Sequence, residues 1–120
     1  MVITDDVKGA LARMKPRVAL YVGGMGHRDK NFHKEMMVRR GFGDAAQRIQ
    51  ELFLAKRKDE AVAAVPDEFC DEMSLVGPVE RIRERYRPWA DSGITGLTIV
   101  VDQPEAMELM AGLARATSAA

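Results

Sequence analysis

Apolar and polar positions repeat with two different periods in the last third of the chain. Residues spaced by three and four predict an amphipathic helix: Val79, Ile82, Tyr86 and Trp89. Pro78 stands at its predicted first position, and the apolar run 97–101 is typical of a strand covered on both faces of a parallel sheet. A short strand is also predicted over about residues 73–76. This order indicates the closing unit of an α/β barrel, a fold that needs roughly 250 residues.

The first quarter of the chain is open to two interpretations. Thr4 is a suitable N-cap for a helix over about residues 5–14, which Pro16 interrupts. The apolar run 18–22, with its β-branched residues, and the glycines after it slightly favour a strand. A second helix with Pro16 at its first position is the alternative.

The middle of the chain is predicted to be helical. One predicted helix ends at about Arg39. A second begins at an Asp44 cap and ends at the basic run 56–58, and a short third helix covers residues 59–64. A further helical turn is predicted from Pro66. In the Asp44 helix the outward positions are polar: Gln47, Arg48, Gln50 and Glu51. A last helix opens at about Asp102. We therefore predict one partial domain over residues 1–120, mostly helical, with two short parallel strands.

Composition narrows the classes of partner and compartment. The 18 basic and 18 acidic residues cancel, which gives no electrostatic reason to expect a nucleic acid or an anionic membrane. Cys70 is the single cysteine, so no internal disulfide is predicted and a reducing, cytoplasmic location is expected. Two or three strands cannot close a barrel, so the chain either belongs to a larger barrel or associates with itself.

Six segments occur in an order that resembles the C-terminal third of the luciferase-like monooxygenase superfamily. They are residues 19–26, 31–33, 49–54, 64–68, 75–78 and 92–97. The chain is most similar to the deazaflavin (coenzyme F-420)-dependent oxidoreductases, over about residues 4–113. No single motif is specific, and the resemblance depends on the ordered set.

The resemblance implies a (β/α)8 TIM barrel of the bacterial-luciferase type, often dimeric. Such enzymes bind a deazaflavin, or FMN as the alternative, at the carboxyl ends of the strands and transfer hydride to or from a small organic substrate. The resemblance also implies that residues 16–24 are helical, against the slight preference of the pattern. Since a barrel needs roughly 250 residues, we expect the first strands to be absent and the chain to be a fragment.

Two glycine-containing segments are candidates for cofactor binding. Gly77 and Pro78 form a predicted strand-to-helix turn, where the backbone N–H groups of a helix start bind anions. Gly24 and Gly26 could form a phosphate cradle, although a helix end followed by a turn is favoured.

Candidates on the substrate side are His27, Asn31 and Phe32, in a segment that would line the entrance of the full barrel; a solvated loop is the default interpretation. No metal site is expected, because His27 and His33 lie six residues apart and only one cysteine exists. No residue is assigned as a general acid or base. Four arginines are predicted to face water: Arg81, Arg83, Arg85 and Arg87.

The favoured hypothesis is therefore a fragment of an F-420-dependent or FMN-dependent oxidoreductase, inactive by itself. Its expected partners are a small-molecule substrate in the full-length enzyme and either a second copy or the missing N-terminal part of the barrel. The alternative is a stand-alone helical module for binding or dimerisation, without catalytic activity.

Overall fold

The computed structural model describes residues 1–118 and divides into two compact units. The sheet unit comprises residues 1–10 and 74–120, and the helical unit comprises residues 11–73. The elements in chain order are β1 (Val2–Ile3), α1 (Val7–Gly24), α2 (Phe32–Arg39), α3 (Gly43–Leu54), α4 (Lys58–Ala63), α5 (Asp67–Glu72), β2 (Val76–Gly77), α6 (Val79–Asp91) and α7 (Pro104–Ser118). The mostly helical content and the two short strands agree with the predicted α/β class.

Helix α1 is one continuous helix with Pro16 in its interior, so the strand interpretation of residues 18–22 is wrong. The helical prediction for residues 16–24 is confirmed. The side chain of Asp6, and not that of Thr4, caps the first turn by accepting a hydrogen bond from Gly9 N at 2.9 Å. Buried side chains on the second half of α1 explain the outcome: Val18, Ala19 and Val22. Packing of this apolar face outweighs the strand preference of β-branched residues.

The helical unit is built around the contacts of α3 with α2 and α4. Its largest buried side chains include Met37, Ile49 and Phe69, and the ring of Phe69 meets that of Phe42 edge to face at 5.3 Å. Helix α3 begins at Gly43, so Asp44 lies in the first turn and is not the cap. Its carboxylate there still favours the helix through the helix dipole.

In the sheet unit, β1 and β2 pair in parallel with the register Val2↔Val76 and Ile3↔Gly77. The backbone N–H of Val2 donates to Leu75 O at 2.9 Å, and that of Thr4 donates to Gly77 O at 3.1 Å. Strand β2 is shorter and lies later than the predicted span 73–76. Strand β1 was not predicted, because two residues carry no measurable period.

The predicted strand over residues 97–101 is wrong: the structure assigns no strand there. The edge of β1 beside it is occupied by a side chain. Ile3 N donates to Gln103 Oε1 at 2.7 Å, and Gln103 Nε2 donates to Ile3 O at 3.0 Å. Immediately before β1, the amino group of Met1 donates a hydrogen bond to Val100 O at 2.7 Å. Among residues 1–118, no helix has the length and apolar content needed to cross a membrane.

Candidate functional site

The turn between β2 and α6 forms the first candidate site, in the sheet unit. Gly77 ends β2 with φ +132°, a backbone conformation that favours glycine, and Pro78 precedes the first residue of α6. The predicted strand-to-helix turn is confirmed, with Pro78 at the N-cap and not at the first helical position. Because Pro78 lies outside the helix, it removes none of the first-turn N–H groups.

The start of α6 presents donors to a ligand. The first N–H groups of any helix lack intrahelical acceptors, and the helix dipole places partial positive charge there. Within residues 1–118, no side chain caps this end of α6. Glu80, the acidic residue of the first turn, is directed to solvent and lies 3.7 Å from Arg83. An anionic or carbonyl group fits these donors chemically.

Arg81 lies against this turn, a position that the helical spacing of the sequence does not reveal. A Cβ atom at Gly77 would stand 2.7 Å from Cδ of Arg81, so the side chain of Arg81 fills the space that glycine leaves open. The Nη1 group of Arg81 donates a hydrogen bond to Val76 O. The prediction that Arg81 and Arg85 face water is wrong, since both are half-buried. A permanent positive charge therefore lies beside the helix start.

Gly24 and Gly26, at the end of α1 and just after it, belong to the helical unit. Gly24 is the last residue of α1, and a Cβ there would stand 2.4 Å from Cε1 of Phe53. Gly26 adopts φ +146°, and a Cβ would stand 3.1 Å from Lys30 O. Close packing and a tight turn account for these glycines, as the favoured interpretation of a helix end and turn expected. A cofactor contact at Gly24 or Gly26 stays a prediction.

Asn31 is 3% exposed and connects two helices of the helical unit. Its Nδ2 donates to Tyr21 O at 3.1 Å and Val22 O at 3.0 Å, at the end of α1. Its Oδ1 accepts a hydrogen bond from Lys34 N at 3.0 Å and so caps α2. The Nδ2 and Oδ1 atoms of the side-chain amide are thus both hydrogen-bonded within the fold. A substrate-side role for Asn31 stays a prediction.

Gln50 is the second buried polar residue of this region and is 5% exposed. The prediction that it faces outward on α3 is wrong. Its Nε2 donates to Arg28 O at 3.1 Å, and its Oε1 accepts from Lys34 Nζ at 2.7 Å. Gln50 thereby fixes the loop of residues 25–31. The only signal in the sequence for this burial is that Gln50 lies one position from the apolar face of α3, next to Ile49.

His27 and Phe32 lie on the surface of the same unit. His27 Nδ1 accepts a hydrogen bond from Asp29 N at 3.2 Å, within an exposed turn. The Phe32 side chain is 66% exposed, and its ring meets that of His33 edge to face at 5.5 Å. His33 in turn meets Tyr21 at 4.6 Å. Tyr21 and His33 are half-buried, so Phe32 is the ring of this group whose exposed face is able to stack with a flat organic molecule.

No cluster of three or more His, Cys, Asp or Glu side chains that could hold a metal ion occurs in the described residues 1–118. Cys70 is buried, and burial raises the pKa of its thiol, which disfavours the reactive thiolate.

The family model described as luciferase-like monooxygenase matches residues 1–96. A curated protein of Mycobacterium tuberculosis named "Putative coenzyme F420-dependent oxidoreductase" is 36% identical over 113 residues, which cover 94% of this chain. The chain spans 33% of the length of that relative. No solved structure matches.

Proposed function

Because the chain belongs to the luciferase-like monooxygenase family, we propose that it supplies the C-terminal part of a coenzyme F-420-dependent oxidoreductase. The observation that carries this proposal is the 36% identity, over 94% of the chain, to a relative whose name specifies F420 dependence. When bound, the deazaflavin would carry the hydride to or from a small organic substrate, and the protein would bind and orient it. A cytoplasmic location and a (β/α)8 barrel for the whole enzyme belong to the same proposal.

The turn between β2 and α6 is the part of this chain that fits such a cofactor best. Gly77 and Pro78 leave the first-turn N–H groups of α6 available, and Arg81 adds a positive charge beside them. We assign to these residues the binding of an anionic or carbonyl group of the cofactor. The segment containing His27, Asn31 and Phe32 is assigned to the substrate side, where the exposed ring of Phe32 offers a stacking surface.

Fluorescence titration of F-420 tests the assignment, with FMN as the comparison ligand. Two proteins are needed: this chain, and a chimera in which it replaces the matched third of the Mycobacterium relative. We expect the chimera to bind F-420 more tightly than FMN and to transfer hydride, and this chain alone to be inactive. A folded chimera that binds neither ligand contradicts the proposed function.

Arg81→Gln and Arg83→Gln form a matched pair for the site. Arg81 is half-buried against Gly77, whereas Arg83, two residues further along α6, is exposed. We expect Arg81→Gln to weaken F-420 binding by the chimera about tenfold, the effect of losing one charge-assisted hydrogen bond of about 1.5 kcal/mol. Arg83→Gln should leave binding unchanged. Equal effects of the two substitutions on F-420 binding would contradict the assignment of Arg81 to the site.

A further inference from the structure

Lys34 is a half-buried cation of the helical unit whose ammonium group bonds to neutral side chains. It is the third residue of α2, and its Nζ donates to Gln47 Oε1 at 2.6 Å and to Gln50 Oε1 at 2.7 Å, both on α3. Within residues 1–118, no Asp or Glu carboxylate forms an ion pair with this ammonium group. Two carboxamides therefore hold the positive charge of Lys34 in place without neutralising it.

The position of Lys34 on α2 is electrostatically unfavourable. The first turn of a helix carries the positive end of the helix dipole, which disfavours a cation there. Lys15 shows the usual solution within the same unit, since its Nζ lies 2.5 Å from Asp67 Oδ1. Natural sequences break such local rules chiefly at functional sites. A cation that is kept against the dipole without a carboxylate partner is suited to bind an anionic ligand.

The two glutamines are fixed with their oxygen atoms toward Lys34, because each amide nitrogen has its own acceptor. Gln47 Nε2 donates to Glu51 Oε1 at 2.7 Å, so an amide separates this carboxylate from the ammonium group. Gln50 Nε2 donates to Arg28 O at 3.1 Å. The bonds to Gln47 and Gln50 use two of the three N–H donors of the ammonium group, and the third is left for a ligand.

The chain segment that ends at Lys34 carries an excess of positive charge. Seven consecutive residues include three cations and one acid: Arg28, Lys30, Lys34 and Asp29. Gln50 bonds both to Lys34 Nζ and to Arg28 O, so the loop is held beside the ammonium group. The 18 acidic and 18 basic residues of the whole chain cancel, and the excess is therefore local. Such a local excess attracts a small anion and gives no broad surface for a polyanion.

We propose that Lys34, held by Gln47 and Gln50, is a binding site for the carboxylate or phosphate group of a small molecule. Its ammonium group donates a charge-assisted hydrogen bond to an oxygen atom of that group. In the proposed enzyme this molecule is the substrate, because the loop that Gln50 holds carries the substrate-side candidates His27 and Asn31. Only that identification rests on the proposed function; the anion site itself does not.

Titration of this chain with acetate and with inorganic phosphate tests the site, and the stronger of the two shows which group it prefers. Acetamide is the uncharged probe of the same shape as acetate. Magnetic resonance of the backbone amides of residues 28–34 follows the binding. We expect Lys34→Gln to weaken anion binding about tenfold, the effect of one charge-assisted hydrogen bond. Lys8→Gln is the matched control, because Lys8 also lies in the first turn of a helix but is exposed, and it should leave binding unchanged.

Exchanging the residues at positions 47 and 51 places a carboxylate directly beside Lys34 and keeps the composition of the chain. In the double variant Gln47→Glu, Glu51→Gln, this carboxylate pairs with the ammonium group, and the amide at position 51 still donates to it. We expect Tm to rise by about 1–4 °C, the effect of a partly exposed ion pair, and anion binding to be lost.

Four outcomes would overturn the proposal. Neither anion binds, or acetamide binds as well as acetate. Lys8→Gln weakens binding as much as Lys34→Gln does. The exchange of positions 47 and 51 lowers Tm or leaves anion binding unchanged. None of these measurements involves F-420, so failure of the proposed function would be seen separately.

Discussion

A single methyl group at Gly23 provides the sharpest test of the packing that fixes the end of α1. In an open helix, replacing glycine by alanine is stabilising by about 0.5–1 kcal/mol. At Gly23 the new Cβ would stand 2.4 Å from Cβ of Phe53 and 2.6 Å from its Cγ, both on α3. Carbon atoms in contact are normally about 3.5–4.0 Å apart. The position of Phe53 Cβ is fixed by the α3 backbone, so no change of side-chain rotamer relieves that contact.

The helices must therefore separate, and overpacking of this kind costs about 1–3 kcal/mol. After the gain in helix propensity is subtracted, we expect Gly23→Ala to lower the free energy of unfolding by roughly 1–2 kcal/mol. Urea unfolding followed by circular dichroism measures the change. Gly112→Ala is the matched control, because Gly112 lies in α7 with no atom within 4 Å of an added Cβ. This control should be stabilised.

Combining Phe53→Ala with Gly23→Ala, and separately with Gly24→Ala, shows which atoms of Phe53 cause each clash. At Gly24 the added Cβ would meet the far end of the ring, with Cε1 of Phe53 at 2.4 Å, so Phe53→Ala should remove the penalty of Gly24→Ala. At Gly23 the clash includes Cβ of Phe53, which alanine retains, so the penalty should persist. Gly23→Ala as stable as the wild type, or stabilised like Gly112→Ala, would refute the close approach of α1 and α3.

Three further predictions concern buried groups of the helical unit. Asn31→Ala should lower the free energy of unfolding by about 2–3 kcal/mol, since three backbone groups lose their partner, and urea midpoints measure it; an unchanged midpoint would contradict the capping role. Burial raises the pKa of Cys70 above its unfolded value, so this thiol's contribution to stability is present below pH of about 8.5 and declines above it. Urea midpoints between pH 7 and pH 10 should fall less in Cys70→Ala than in the wild type; parallel curves would argue against this linkage. Gln50→Leu should speed hydrogen exchange of the backbone amides in the loop of residues 25–31, because Arg28 O loses its donor. The control Gln47→Leu, at an exposed position, should not. Equal exchange rates in the two variants would contradict the role of Gln50 in holding the loop.

The sequence predicted those helices best whose ends carry strong local signals. Pro78 and Pro104 were expected near helix starts, and α6 and α7 begin beside them. The segment 18–22 was misjudged because its residues favour strands locally, whereas burial on α1 decides its conformation. The residue pattern offers that helix only as the alternative, and the ordered resemblance to a family makes it the preferred interpretation. Local preference was thus outweighed by packing partners that are distant in sequence.

The candidate site was predictable in its backbone and not in its side chains. A glycine and a proline between a strand and a helix are sufficient to predict the turn at Gly77 and Pro78. Helical spacing placed Arg81 and Gln50 on polar faces, and no period distinguishes a polar side chain directed to water from one directed to a buried carbonyl. Their partners, Val76 O and Arg28 O, are backbone atoms of neighbouring segments. Such pairings depend on the three-dimensional course of the chain.

The failed strand at residues 97–101 carries information of a different kind. Its residues are nearly all apolar, and Leu97, Ile99 and Val101 line a cavity of about 510 Å³ together with Trp89 and Met110. Leu97 is nevertheless 40% exposed, so this side of the segment is only partly covered. The segment lacks backbone hydrogen bonds to a neighbouring strand. At the edge of β1, the side-chain amide of Gln103 makes both hydrogen bonds to the backbone of Ile3. Natural sequences are locally consistent with their final fold. A strong strand signal without a strand therefore agrees with the proposal that this chain forms part of a larger barrel. The same reasoning explains why Val100, a β-branched residue, is left 78% exposed.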